Sequence, residues 1–135
     1  MAELKISFDT DAVLNSLSNV IRRKINNSLS VPVKQEIAGE YAAAVYRYVP
    51  NKTGKLADSA RVVTEGNDVA IKYEAISENK NGKKTDYAPI QYEIPFENRT
   101  TPGTYDHWNR HLTTAERKAF YETCADIIKE SFKNG

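Results

Sequence analysis

Two histidines in the run "HWNRH", His107 and His111, stand four residues apart. On a helix that spacing would put both rings on one face, where a third ligand could complete a zinc site. The glutamate that follows the first histidine in helical zinc peptidases is absent, because Trp108 stands there, and Pro102 and Gly103 upstream argue against helix. A metal site is therefore not expected. "NKTGKL" carries one glycine and lacks the second glycine and the Lys-Ser/Thr pair of a phosphate-binding loop. Ser59 has no histidine close in sequence to serve as its base. Cys124, the only cysteine, sits on an apolar helical stripe with no neighbour in sequence that would lower its pKa, so a buried structural thiol is expected. Acidic pairs such as Asp9 with Asp11, or Glu36 with Glu40, read as helix caps and solvated faces. No catalytic group or cofactor cradle emerges, and the chain reads as a non-enzyme.

The elements that position these residues must come from one domain, since 135 residues can bury a single core and divide poorly into two. Nineteen Lys and Arg against eighteen Asp and Glu leave almost no net charge, which removes the global basic field of a duplex DNA binder. The apolar runs are far shorter than the roughly 20 residues that cross a bilayer, and "MAELKISFDT" has no hydrophobic signal region, so a protein made and kept in the cytoplasm is expected.

"LKISFD" alternates Leu4, Ile6 and Phe8 with polar residues and predicts a short strand. Asp9, Thr10 or Asp11 can cap a first helix carrying Val13, Leu14, Leu17, Val20, Ile21, Ile25 and Leu29 at three- and four-residue spacing. Ser30 and Pro32 open a second helix that ends near Tyr48. In "YRYVPNKTGKLADSARV" the chain then turns a corner: Pro50 forces Val49 out of helical geometry, Thr53 and Gly54 make the turn, Gly54 with a positive φ, and Leu56 leads toward a strand. "SARVVTE" and "DVAIKYEA" flank Gly66-Asn67-Asp68 and predict a β-hairpin. "SENKNGKKTD" has no apolar anchor and predicts a flexible loop near residues 77–86. "YAPIQYEIPF", broken by Pro89 and Pro95, predicts a short or edge strand, and "ENRTTPGTYDHW" another loop or loose hairpin. Thr113 and Glu116 have capping-box spacing ahead of a closing helix lined by Phe120, Cys124, Ile127 and Ile128. The expected fold is α+β, an antiparallel hairpin-based sheet packed against two N-terminal helices and a C-terminal helix, as one domain over residues 1–135.

Eight tyrosines are many for this length and supply large contact area with a polar tip. Tyr87, Tyr92, Phe96, Tyr105 and Trp108, in the proline-rich segment, are the candidates for contact with a neighbouring molecule. Lys80, Lys83 and Lys84, with Lys72 nearby, are the candidates for a weak, salt-dependent contact with DNA.

"AGEYAAAVYRYVPNKTGKLADSARV" resembles the alanine-rich helix, Val-Pro, Thr-Gly, Leu and Ser pattern of tailed-bacteriophage minor capsid and head-tail joining proteins, the group that includes tail-completion proteins. "DYAPIQYEIPF" resembles the Tyr-Ala and aromatic motif that those proteins place after the hairpin, and "TPGTYDHW" resembles the Pro-Gly-Thr to Trp segment of one minor capsid branch. The three motifs occur in the same order and span about residues 38 to 108. The resemblance implies a structural virion protein at the neck between portal and tail, forming a homo-oligomeric ring against neighbouring neck, portal-side or tail proteins. It would assemble in the host cytoplasm and have no membrane partner. The rival reading is a small nucleic-acid-binding or regulatory module of phage origin.

Overall fold

The computed structural model describes residues 4–7, 10–26, 28–50, 55–93 and 107–134. Strand β1 (Leu4–Ser7) buries Leu4 and Ile6 and exposes Lys5 and Ser7, the alternation of a strand with one dry face. Phe8 and Asp9 lie outside the described residues. The single helix expected next is two, α1 (Thr10–Ser16) and α2 (Asn19–Lys24). Ser18 interrupts them by taking extended backbone, and its hydroxyl accepts from the Ile21 amide at 3.4 Å. The break is held on both sides: the Leu14 carbonyl at the end of α1 accepts from the Leu17 amide at 3.1 Å and from Arg22 Nε at 2.7 Å. Leu17 stays buried at the break, whereas Val20, expected on the same apolar stripe, is 65 % exposed in the first turn of α2, because the helix restarts at Asn19 and the stripe is not continuous across the break.

Helix α3 (Val31–Val45) follows Ser30, with Pro32 in its first turn, where no amide partner is needed. A 3-10 turn (Tyr46–Tyr48) prolongs it to Val49, which is extended at φ −77° and ψ 129°, as a residue before proline must be. Val49 is also buried, so the corner is fastened by packing as well as by Pro50. Thr53 and Gly54 lie outside the described residues. A one-turn helix, α4 (Lys55–Asp58), then intervenes before the strand and buries Leu56 and Ala57. Ser59 donates to the Leu56 carbonyl at 2.6 Å and accepts from the Glu74 amide at 3.0 Å, so its hydroxyl latches this turn to the sheet.

Strands β2 (Arg61–Glu65) and β3 (Asp68–Tyr73) form the expected hairpin. Glu65 faces Asp68, which leaves a two-residue turn with Gly66 at φ 62°, a conformation that such turns require at their first position. β1 pairs antiparallel on the other side of β3, with Leu4 opposite Tyr73 and Ile6 opposite Ile71, giving the order β1-β3-β2. Val69, Ile71 and Tyr73 therefore share the dry face with Leu4 and Ile6. Helix α3 packs on β2 and β3 and also against the closing helix, so it is the middle layer.

Beyond the sheet come β4 (Ile76–Glu78), β5 (Lys84–Asp86) and helix α5 (Ala88–Glu93), then a 3-10 turn (Trp108–Arg110) and helix α6 (Thr114–Asn134). The fold is α+β, with an antiparallel sheet against N-terminal helices and a C-terminal helix. The capping box at α6 is formed: Thr113 Oγ1 accepts from the Glu116 amide at 3.1 Å, and Glu116 Oε1 accepts from the Thr113 amide at 3.0 Å. The Tyr48 hydroxyl donates to the same carboxylate and Arg47 stands 3.7 Å from its other oxygen, so the start of α6 is tied to the end of α3.

The Tyr48 hydroxyl, then the Thr113 amide, hold the Glu116 carboxyl below its usual range. A carboxyl depressed on folding stabilises the protein above its unfolded pKa, about 4.3, and that contribution is lost as pH falls through the lower folded value. Glu116→Gln is expected to melt at a lower temperature than the parent at neutral pH, with the gap closing in acid below the folded pKa. Thermal melts across that range check this; a gap that persists unchanged in acid would refute it. Cys124 is fully buried, and burial pushes its thiol up to about 12. A thiol reagent is expected to leave native protein unlabelled and to label one thiol per chain in denaturant.

Candidate interaction surface

Trp108, the leading contact candidate, is fully buried inside the subunit. Its indole meets Tyr73 of β3 at a ring-centroid distance of 5.2 Å and Tyr92 of α5 at 4.9 Å, both edge-on. Tyr92 is buried too, and its hydroxyl donates to Asn109 Oδ1 at 2.6 Å. Both residues are therefore core, which corrects their assignment to an interface. The reason lies in Asp86 and Pro89. The Asp86 carboxylate accepts from the Ala88 amide at 3.0 Å and the Ala75 amide at 2.9 Å, and Pro89 falls in the first turn of α5. Proline suits a first helical turn, so the segment expected to be an edge strand is a helix that carries Tyr92 inward. Phe96 and Tyr105 lie outside the described residues, as does most of "ENRTTPGTYDHW".

His107 takes a left-handed conformation, φ 42° and ψ 45°, that turns the chain so the next residue can enter the core. Its amide donates to the Tyr92 carbonyl at 2.8 Å, its ring lies against Tyr92, and Nε2 is 3.3 Å from Glu93 Oε2. His111 lies beside the Tyr48 ring instead, and no group of three metal-binding side chains occurs among the described residues. Burial pushes the Tyr73 hydroxyl up to about 12, and the neighbouring indole draws it back slightly. That contact falls short of hydrogen-bond geometry, leaving Trp108 Nε1 enclosed without a partner among the described residues.

Tyr87, by contrast, is exposed. It stands at the foot of a hairpin made by β4 and β5, its amide donating to the Ala75 carbonyl at 2.8 Å. This hairpin occupies the segment expected to be a flexible loop. It needs no core because its tip is closed locally: Asn79 Oδ1 accepts from the amides of Asn81 and Lys83, both at 2.9 Å, and Gly82 takes φ 79°. The Asn79 amide also donates to the Lys83 carbonyl at 2.9 Å. Asn and Gly were legible as turn residues, but the cross-strand pairing they permit was not. The amides of Asn81, Gly82 and Lys83 are expected to exchange more slowly than those of an unstructured peptide of the same sequence. Gly82→Val is expected to abolish that protection, since a branched residue resists the left-handed backbone by roughly 1–2 kcal/mol. Exchange at peptide rates in the parent would overturn the hairpin.

Among the described residues β4 and β5 pair with each other in a two-stranded antiparallel sheet. Ile76 is exposed on β4, close in the fold to Tyr87, and no pattern in the sequence singled it out. Lys80, Lys83 and Lys84 are exposed at and beside the tip. Lys72 is not with them: it lies on the central strand with its side chain largely covered, 3.9 Å from Glu74. The arrangement offers one exposed aliphatic and one exposed aromatic side chain and a cationic tip. Among the described residues no helix is long and apolar enough to cross a membrane. No family model, curated protein or solved structure matches the chain.

Proposed function

We propose that the chain is a structural subunit of a tailed-phage or prophage virion, acting at the neck in head-tail joining or tail completion by assembling into a ring. The observation that carries this reading is the self-paired β4–β5 hairpin, with exposed Ile76 and Tyr87, lying between two of the motifs that resemble head-tail joining proteins. A ring subunit needs a heterologous contact, one surface of each copy meeting a different surface of the next, and a projecting hairpin supplies one half of such a contact. The Val49-Pro50 corner supports it further by fixing the angle between α3 and the sheet from which the hairpin extends. In this reading the partners are further copies of the chain and the adjoining neck, portal-side or tail proteins.

Native mass measurement of the purified protein and of particles tests the reading. The expected results are a multiple of the 15.2 kDa subunit in the assembled state and, when the gene is disrupted, filled heads and separate tails. Tailed, infectious particles at parental titre without the gene would refute it. Tight, salt-sensitive DNA binding by a monomer would favour the regulatory module instead.

A further inference from the structure

α1, α3, the 3-10 turn at Trp108–Arg110 and α6 meet around a cavity of about 280 Å³, away from the β4–β5 hairpin. Its apolar wall includes Val13, Leu112 and Phe120, all buried. Its polar lining is supplied by Tyr41, Asn109, Arg110, Arg117 and Tyr121. Two of the lining residues are cationic and none is acidic, although the whole chain balances nineteen basic against eighteen acidic residues. Neither guanidinium has an ion-pair or hydrogen-bond partner among the described residues.

Both Asn109 oxygens on this lining already accept hydrogen bonds. Tyr41 donates its hydroxyl proton to the Asn109 carbonyl at 3.0 Å, and Asn109 Oδ1 accepts from Tyr92. What the site still has to offer is donors: the Asn109 amide, the Tyr121 hydroxyl and two guanidinium forks, whose planar geometry matches carboxylate and phosphate. Size narrows the occupant further. A cavity of about 150 Å³ takes one benzene ring, so about 280 Å³ is room enough for one ring with a charged substituent. Tyr41 and Phe120, with centroids 5.2 Å apart, present ring surface to it.

We infer that this cavity binds a small aromatic oxyanion, its carboxylate or phosphate held by Arg110 and Arg117 and its ring against Phe120 and the tyrosines. The site is independent of the neck assignment and would stand if that reading failed.

Amide chemical shifts of the isotopically labelled full chain, titrated with phenyl phosphate, phenylacetate, benzyl alcohol and inorganic phosphate, test it. Saturable shifts at Asn109, Arg110, Arg117 and Tyr121 are expected for at least one aromatic oxyanion below millimolar concentration. The tighter of the two identifies phosphate or carboxylate as the anchor. Binding should weaken roughly tenfold or more in Arg117→Gln, a loss of one charge-assisted contact, with no change in melting temperature because Arg117 is exposed. Arg110→Gln provides the second variant with the same expectation. Absence of saturable shifts, equal affinity for benzyl alcohol, equal affinity for inorganic phosphate, or undiminished binding in both variants would each overturn the assignment.

Discussion

Trp108→Ala is expected to destabilise the subunit by about 3–5 kcal/mol, the usual cost of deleting a large buried aromatic side chain. Typical domains have only about 5–15 kcal/mol to lose, so the substitution would remove a large part of the subunit's stability. The cost is high because the indole sits where three elements converge: Tyr73 on the central strand, Tyr92 on α5 and the turn entered through His107. A cavity there cannot collapse without moving all three. Trp108→Phe is expected to lose clearly less, since it retains a ring between the tyrosines and removes an N–H that is buried without a partner among the described residues. Urea unfolding followed by far-ultraviolet circular dichroism measures both variants. An unchanged midpoint in Trp108→Ala would show that the indole is not the keystone of this cluster. Any assembly defect in that variant should accompany loss of fold, because the side chain is out of a neighbour's reach.

The converse behaviour is expected at the hairpin. Ile76→Asp combined with Tyr87→Ser should leave the subunit folded, since both side chains are exposed and surface substitutions usually change stability by no more than about 0.5 kcal/mol. Assembly should nevertheless be lost. An aromatic or aliphatic anchor at the centre of an interface typically contributes about 2–4 kcal/mol, and an aspartate placed there adds an unpaired charge that must be desolvated. Light scattering coupled to size exclusion should find the parent in a ring-sized species and the double variant as a 15.2 kDa monomer with a parental melting temperature. A variant that assembles to the parental mass would remove the hairpin from the interface and with it the observation on which the neck reading chiefly rests.

The sequence by itself determined those features whose physics is local. The β2–β3 hairpin was legible because Gly66 and Asn67 separate two alternating runs by the two residues that a tight turn needs. The capping box was legible because Thr113 and Glu116 have to be three apart to exchange their bonds, and the end of α3 because Pro50 constrains Val49 directly. The α+β layering followed from these periods. Tertiary structure alone decided the rest. "YAPIQYE" reads from sequence as a short or edge strand, and only Asp86, held by the Ala75 amide across the hairpin, caps it as helix α5. The break at Ser18 depended on Arg22 reaching a carbonyl eight residues back. Trp108 carries the composition of an interface residue, and only the approach of Tyr73, 35 positions earlier, makes it core. The lysine-rich segment lacked an apolar anchor, yet Asn79 and Gly82 closed it through hydrogen bonds, which hydrophobic patterning does not record. The cavity was invisible for the same reason: Tyr41, Arg110 and Arg117 are separated in sequence by up to 76 positions, and a set of donors converges only when α3 and α6 pack.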